Sequence, residues 1–310
     1  MSGFQDPEIY RTILESLKTG LCVVDRQRRI VFWNGGAEAA TGYLRHEVVG
    51  HLCNENILRH CNGISCELCG ERCALTAVLH DAKPVEATGY LHHKAGHRIF
   101  VHLWILPLRD DHGSVIGTAQ CFEGRTPNPD RRTSGVAAGF LDPMTGISNH
   151  AMMQSRLREA LATFTGMNIP FGVLCIHLHG MDHFRANYGP EAENSILRVA
   201  AQTVVNSLRP TDYVGRWAND QFLAVLTGCR TTSLEDIGDR IGRIVASGGI
   251  EWWGEELHLA VTVFKTLPQA GESLETLVQR IEQSIHGNSS GEPVVTTAAG
   301  DQATPLPPTS

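Results

Sequence analysis

Short apolar runs separated by polar turns dominate the first 123 residues. Asp6 followed by Pro7 is a typical helix start, and it predicts a helix over residues 6–18 that ends before Gly20. Runs rich in β-branched and aromatic residues predict five strands, two before a stretch of short helices and three after it. These strands are predicted at residues 21–24, 30–33, 85–93, 97–108 and 114–122.

Helices and strands alternate in the second half of the chain, which predicts an α/β domain built on a sheet of about five strands. The apolar run 171–176 has no polar face, as expected of a buried strand. Residues 209–226 predict a β-hairpin with Asn219 and Asp220 in its turn, because both residue types tolerate positive φ. The remaining predicted elements are helices at 151–163, 196–208, 232–247 and 273–286 and a strand at 257–264.

The segment between the two halves predicts a semi-flexible linker, since Pro127 and Pro129 exclude one continuous helix there. The last residues are rich in Thr, Ala, Pro and Ser, a composition that predicts disorder. The predicted organisation is a first domain, a linker, a second domain and a tail, at residues 1–123, 124–140, 141–291 and 292–310.

The chain of 310 residues is long enough for about two domains, each with its own core. A net charge of −7 provides no basic surface for nucleic acid. No apolar run approaches the roughly 18 residues needed to span a bilayer, and the first residues do not form a secretory signal, so a cytoplasmic protein is expected. Nine cysteines in such a chain favour free thiols or metal ligands over disulfides.

Five of the nine cysteines lie between residues 53 and 73. Thiolates at such short spacing in a reducing compartment favour Zn²⁺ or an iron–sulfur cluster. Reduced, buried or redox-labile thiols are the alternative. The predicted metal ligands are Cys53, Cys69 and Cys73, with Cys61, Cys66 or His60 completing a set of four.

Residues 33–43 carry the pattern W-N-x-x-A-E-x-x-T-G-Y, and E-V-V-G follows at 47–50. Together with the preceding helix and hairpin, these residues resemble the opening of a PAS domain, and the resemblance covers about residues 6–123. It implies an α+β fold with a five-stranded antiparallel sheet, and a sensor function. No haem ligand is assigned, and three histidines are expected on an exposed hairpin, namely His92, His93 and His97.

Residues 141–149 resemble the D-x-L-T-G-L-x-N entry motif of GGDEF domains, the diguanylate cyclases. The hairpin turn at residues 218–222 has the frame of their Gly-Gly-Asp/Glu-Glu-Phe signature. The resemblance implies a nucleotidyl cyclase-type α/β fold. In this family two GTP molecules are joined when a 3′-hydroxyl attacks an α-phosphate, and carboxylates hold the divalent metal that offsets the developing charge.

Most positions that carry this chemistry in the family are changed here, although Asp220 keeps one metal carboxylate. By comparison with the family that the domain resembles, these changes imply that no Mg²⁺-dependent catalysis takes place. A different metal site on His177, His179 and Asp220 is conceivable, but histidines at alternate strand positions are more often packing residues. The changed positions are His177 for the first metal carboxylate, Arg185 and Asn194 for the guanine-reading pair, Ala218 and Asn219 for two glycines, and Gln221 for the second acid of the turn.

Arg209 and Asp212 match the R-x-x-D inhibitory site of the family, which lies just before the turn motif. The resemblance implies binding of cyclic di-GMP, because Arg offers a planar fork to guanine or phosphate and Asp accepts guanine N–H groups. Arg216 and Arg243 are candidates for a second basic contact. The structural alternative is that Arg209 only ends a helix and Asp212 only begins a strand.

Three hypotheses about function follow. The first is a homodimeric signalling protein in which a PAS sensor acts on a degenerate GGDEF domain that binds cyclic di-GMP or a partner. The second is an active diguanylate cyclase with an unorthodox site. The third is a structural module that dimerises with other GGDEF or EAL proteins. An activity assay separates the second hypothesis from the others.

Overall fold

A computed structural model describes residues 6–53, 55, 57–60, 73–124 and 138–287. None of its helices is long and apolar enough to cross a membrane. The predicted tail and most of the predicted linker lie outside the described residues. The first domain contains α1 (Pro7–Ser16), β1 (Gly20–Asp25), β2 (Ile30–Trp33), α2 (Gly35–Thr41), α3 (Arg45–Val48), α4 (Ala74–Asp81), β3 (Val85–His92), β4 (Arg98–Arg109) and β5 (Val115–Gly124).

The second domain adds four helices and six strands to the described part of the chain. A short 3₁₀ turn at Ala138–Phe140 precedes it. These elements are α5 (His150–Met167), β6 (Phe171–His179), α6 (Met181–Ser207), β7 (Tyr213–Ala218), β8 (Gln221–Thr227), α7 (Thr231–Ala246), β9 (Gly249–Trp252), β10 (Glu255–His258), β11 (Ala260–Thr266) and α8 (Leu274–Gly287).

The first domain is a five-stranded antiparallel sheet in the order β2-β1-β5-β4-β3. All five strands were predicted, and the prediction of this sheet is confirmed. One face of the sheet packs on the short helices around Trp33 and Phe122, whose ring centroids are 6.1 Å apart. Both side chains are fully buried. Burial of aromatic side chains of this size supplies much of the free energy that holds such a small core together.

The fully buried side chain of Asn34 explains the Trp-Asn pair in the sequence. Its Oδ1 accepts hydrogen bonds from the backbone N–H of Leu21 at 2.8 Å and of Ala37 at 2.9 Å. Its Nδ2 donates to the carbonyl oxygens of Leu14 at 2.9 Å and Thr19 at 3.0 Å. One amide thus caps α2 and also fixes the chain that leaves α1, satisfying backbone groups that would otherwise be costly to bury.

The second domain is a four-stranded antiparallel sheet in the order β11-β6-β8-β7. The strand β6 is buried on both faces, as its uninterrupted apolar run predicts. Leu174 and Ile176 face a core formed with α6 and α7. Val173 and Cys175 face a second core formed with α5 and α8. Helices therefore cover both faces of one sheet, which agrees with the prediction of an α/β domain.

Two features of the second domain differ from the predictions. The main sheet has four strands rather than about five, because β9 and β10 pair only with each other around Trp253 and Gly254, both at positive φ. The helix predicted to start at residue 196 begins at Met181. Gly189 interrupts it with φ 83° and ψ 171°, and Pro190 restarts it. A Gly-Pro pair marks a helix end in sequence, but here it marks a kink between two helical segments.

The two domains are joined by the side chain and backbone of Arg98, which is 2% exposed. Its Nη1 donates to the carbonyl oxygen of Arg59 in the first domain at 2.9 Å, and its Nη2 donates to that of Ser247 in the second at 3.0 Å. The backbone N–H of Arg98 donates to Thr203 Oγ1, and its carbonyl accepts from Asn206 Nδ2. We call this set of four hydrogen bonds the Arg98 clasp.

The turn between β3 and β4 also contacts the second domain. Gly96 has φ +93°, and a Cβ placed there would lie 2.2 Å from the carbonyl oxygen of Gly249. His93 and His97 are stacked with ring centroids 4.1 Å apart, and burial lowers the pKa of His97 to about 3. The prediction that His92, His93 and His97 lie on an exposed hairpin is therefore wrong, since all three are half-buried. The alternation of polar and apolar residues along a strand gives no information about another domain that packs against the turn at the end of that strand.

Candidate functional site

The hairpin of β7 and β8 places the turn where the sequence predicts it, with Ala218 paired to Gln221. The guanidinium of Arg216 fixes this turn. Its Nη2 donates to the carbonyl oxygen of Asn219 at 2.6 Å, and its Nε donates to that of Ala218 at 3.3 Å. Arg216 therefore holds the turn. This structural function accounts for the residue without the contact to cyclic di-GMP for which it was a candidate.

The entry motif contacts the same hairpin through Asp142. Its Oδ1 accepts from Thr145 N at 2.9 Å and Oγ1 at 2.6 Å, and it lies 3.4 Å from Arg216 Nη1. Burial by itself would raise the pKa of Asp142, but these hydrogen bonds and the Arg216 charge bring the pKa below its ordinary value. The entry motif thus has a structural function, because it supports the arginine that holds the turn.

His177 and Asp220 meet at the position where the family has two carboxylates. His177 Nε2 lies 3.1 Å from Asp220 Oδ2, and His177 pairs with Gln221 across β6 and β8. The backbone N–H of Leu178 donates to the carbonyl oxygen of Asp220 at 2.8 Å, which holds the turn against β6. The hydrogen bond from His177 is the main reason that the pKa of Asp220 is lowered. The surviving carboxylate is thus paired with an imidazole.

The second histidine of β6 is turned toward the next strand. His179 Nε2 lies 2.7 Å from Thr262 Oγ1, and the rings of His177 and His179 are 4.5 Å apart. Burial, followed by the charge of His177, lowers the pKa of His179. Within the described residues, no cluster of three or more His, Cys, Asp or Glu side chains is arranged to hold a metal ion.

The two positions of the guanine-reading pair lie on α6, on either side of its kink. Arg185 forms an ion pair with Glu193, with Nε and Oε2 2.9 Å apart. Asn194 follows Glu193 and is half-buried. A cation paired to a neighbouring acid, and an amide in place of the acid, cannot present the acceptor pattern that an Asn and Asp pair offers to guanine N–H groups.

Arg209 and Asp212 lie in the connection between α6 and β7. Arg209 is exposed, whereas Asp212 is buried. Asp212 Oδ2 accepts from the backbone N–H of Arg209 at 2.9 Å, and its Oδ1 accepts from that of Thr227 at 3.3 Å. These bonds close the turn and attach it to the end of β8, so Asp212 has a structural function just before β7, which begins at Tyr213.

A further arginine near this turn was missed by sequence reasoning. Arg240 on α7 places its Nη2 3.3 Å from the carbonyl oxygen of Ser207, two residues before Arg209. Its Nε is buried and has no hydrogen-bond partner among the described residues. The sequence holds no signal for this position beyond a basic residue on an amphipathic helix. Arg243, the candidate that the sequence suggested, lies three residues further along the same helix.

The cysteine-rich segment is described only at its two ends. Cys53 and Cys73 are buried in the core of the first domain, and Cys61, Cys66 and Cys69 lie outside the described residues. His60 is buried too, and Gln120 Nε2 donates to its Nε2 at 2.8 Å. Burial, with a smaller effect of Arg98, lowers the pKa of His60 to about 4, so this imidazole is neutral at pH 7.

A sixth thiol lies close to this segment. Cys22 on β1 is fully buried, and its pKa is raised first by that burial and then by the charge of Cys53. Sequence analysis grouped cysteines by spacing along the chain and therefore left Cys22 out. The sheet brings it next to the segment because β1 is a central strand.

The known families match the chain in the predicted order. A family described as "PAS fold" matches residues 14–127, and one described as "Diguanylate cyclase, GGDEF domain" matches residues 139–289. The chain is a PAS–GGDEF protein. The matches confirm the resemblance given in the sequence analysis, with the PAS fold before the GGDEF domain.

Relatives of this PAS–GGDEF protein include two bacterial enzymes. The probable diguanylate cyclase DgcE of Escherichia coli (strain K12) is 25% identical over 266 residues, which is 85% of this chain and 24% of DgcE. The diguanylate cyclase DgcP of Pseudomonas aeruginosa is 23% identical over 148 residues, 47% of this chain and 22% of DgcP. The chain thus spans about a quarter of the length of these relatives.

Among solved structures, the diguanylate cyclase SiaD in complex with its activator SiaC from Pseudomonas aeruginosa aligns with a TM-score of 0.49 and 23% identity. The alignment covers 52% of this chain and 63% of SiaD. The GGDEF domain of DgcB from Caulobacter crescentus in complex with c-di-GMP aligns with a TM-score of 0.47 and 15% identity, over 50% of this chain and 92% of that chain.

Proposed function

We propose that this PAS–GGDEF protein is a signalling protein whose GGDEF domain forms no cyclic di-GMP. The observation that carries the proposal is the contact of 3.1 Å between His177 and Asp220 in place of a pair of carboxylates. Mg²⁺ binds hard oxygen ligands and has little affinity for imidazole. Gln221 adds no charge, so a single carboxylate remains where two GTP molecules and their metal ions would need several. An assay of GTP conversion tests the proposal, and its expected result is given in the Discussion.

A second candidate function is that of a cyclic di-GMP receptor that uses Arg209. The guanidinium of Arg209 lies on an exposed turn whose backbone is held by Asp212. Arg240 approaches the same turn from α7 and offers the second cation that a ligand with two phosphates requires. In this proposal Asp212 positions the turn, and the two arginines supply the binding energy.

Calorimetry with cyclic di-GMP is expected to detect binding to the wild-type protein and at least about tenfold weaker binding to Arg209→Ala, since a charge-assisted contact contributes roughly 1.5–3 kcal/mol. Arg11→Ala is the matched control, because it removes the same charge from an exposed site on α1. Asp212→Ala should weaken binding as well, by loosening the turn. Absence of binding to the wild type at about 100 μM ligand contradicts the receptor function and favours a module that pairs with other GGDEF or EAL proteins.

The third proposal concerns the cysteine-rich segment, for which we retain Zn²⁺ or an iron–sulfur cluster as the bound group. Cys53 and Cys73 fix the two ends of the segment in the buried core of the PAS fold, and both are free thiols. Such a group would add binding energy to the folding energy of this part of the PAS fold.

Protein purified without oxygen is expected to contain about one zinc ion or one cluster per chain, and iron–sulfur would add visible absorbance. Cys53→Ser should lose the metal and lower the melting temperature. The matched control is Cys121→Ser, a partly exposed thiol of the same domain outside the segment. Metal-free reduced protein that melts at the same temperature with or without added Zn²⁺ would leave the cysteines as simple thiols.

A further inference from the structure

A cavity of about 660 Å³ lies between the PAS fold and the GGDEF domain. Its volume falls in the range of roughly 300–1,000 Å³ in which small-molecule sites are found. Both domains contribute walls, with the turn after β3 on one side and the β9–β10 ribbon on the other. Its polar lining includes Tyr43, Arg59 and Lys94 from the PAS fold and Ser195, Glu251 and Trp252 from the GGDEF domain.

The lining presents more cationic than anionic groups. Arg59 and Lys94 approach from the PAS side, and Glu251 is the one carboxylate among the residues that line the cavity. Lys94 Nζ is hydrogen-bonded to Glu47, a half-exposed side chain outside the lining. Arg59 holds an unusual backbone conformation with φ 30°. A non-glycine residue at positive φ is strained, and such strain persists where the surrounding structure imposes it.

The aromatic rings of Trp252 and Tyr43 both belong to the lining of this cavity. The Tyr43 hydroxyl lies 3.1 Å from His92 Nδ1, which is also in the lining. Aromatic surface next to cations suits a planar ring that carries an anionic group.

The cavity exists only while the domains are docked. The Arg98 clasp and the buried contact of Tyr90 and Phe100 with Ile244 set the distance between its walls. A ligand that contacts both walls binds the docked state alone, so its binding must stabilise docking by the same free energy.

We propose that this cavity binds an organic anion of nucleotide size, with a planar ring against the side chains of Tyr43 and Trp252 and its anionic group at Arg59 and Lys94. Binding holds the PAS fold against the GGDEF domain. The proposal is independent of whether the GGDEF domain makes cyclic di-GMP.

Adenosine monophosphate is the probe, because it has a ring and a phosphate but lacks the guanine that other sites of a GGDEF domain would select. Titration followed by calorimetry and tryptophan fluorescence is expected to give saturable binding, with adenosine binding at least about tenfold more weakly. Lys94→Ala should weaken binding about tenfold, and Trp252→Ala, which removes the aromatic ring from the wall, by about three- to tenfold. Lys83→Ala is the charge-matched control, which should leave the affinity unchanged because Lys83 is exposed and outside the lining.

Arg98→Ala separates this proposal from ordinary surface binding. Arg98 does not line the cavity, yet Arg98→Ala removes the two guanidinium bonds of the clasp and should weaken binding of adenosine monophosphate at least about tenfold, because the two walls are then held together less firmly. No saturable binding up to about 1 mM overturns the proposal. So does binding that survives both Lys94→Ala and Arg98→Ala, since that ligand would occupy a site on one domain.

Discussion

Incubation of the protein with GTP and Mg²⁺ or Mn²⁺ is expected to yield no cyclic di-GMP. Catalysis of this transfer depends on metal ions and donors already placed where charge develops on the phosphates. Here His177 occupies the position of one metal-binding carboxylate, and Gln221 occupies the position of the acid next to Asp220. Loss of a single preorganised contact typically costs about 10²–10³ in rate, so several losses together leave no useful turnover.

The assay needs two comparisons. A diguanylate cyclase with an intact Gly-Gly-Asp-Glu-Phe turn, run in the same mixture, shows that product would be detected. His177→Asp alone is expected to remain inactive, because Arg185, which is ion-paired to Glu193, and Asn194 still occupy the two guanine-reading positions. Product formed by the wild type and lost in Asp220→Ala would contradict the expectation and establish the unorthodox cyclase instead.

Arg98→Ala is expected to release the PAS fold from the GGDEF domain. The substitution removes the donors to the carbonyl groups of Arg59 and Ser247, and the bond to Ser247 is the guanidinium bond that crosses between the domains. A hydrogen bond from a charged group contributes about 1.5–3 kcal/mol. Interfaces within a chain are often only marginally stable, so a loss of this size should let the domains move independently. Hydrogen exchange should accelerate at residues 244–250, and thermal unfolding should separate into two transitions.

Arg109→Ala is the matched control for this experiment. Arg109 lies at the other end of β4 and donates to the carbonyl oxygens of Gly113 and Ala82, all within the PAS fold. It should leave exchange at residues 244–250 unchanged. If Arg98→Ala behaves like Arg109→Ala, then the clasp does not hold the domains together.

The strands and the hairpin could be predicted because their signals are local. Alternation along β4, the two-faced apolar run of β6 and the Asn-Asp turn each report the immediate surroundings of the chain. The break at Gly189 was harder to predict from the sequence, because a Gly-Pro pair is compatible both with a helix end and with a kink inside a helix. The partners of Arg98 lie up to 149 residues away, and no local pattern distinguishes a buried arginine from an exposed one.

In the candidate site, too, some features could be predicted from the sequence and others required the structure. Substitutions such as His177 and Gln221 could be found by alignment to a motif. The closure of the turn by Asp212, through hydrogen bonds to backbone groups, required coordinates, because a side chain that binds ligand and one that holds a turn share the same residue type. Arg240 and Cys22 were missed since each becomes relevant only when a different element is packed beside it.

The Arg98 clasp also has a consequence for synthesis of the protein on the ribosome. Ser247 follows Arg98 by 149 residues, which take about 7–30 s to translate at typical rates. During that interval the PAS fold can be complete while Tyr90, Phe100 and the guanidinium of Arg98 still face water. The nascent chain therefore presents an apolar surface that the finished protein hides, and chaperones that recognise such surfaces have their longest access to it before α7 emerges.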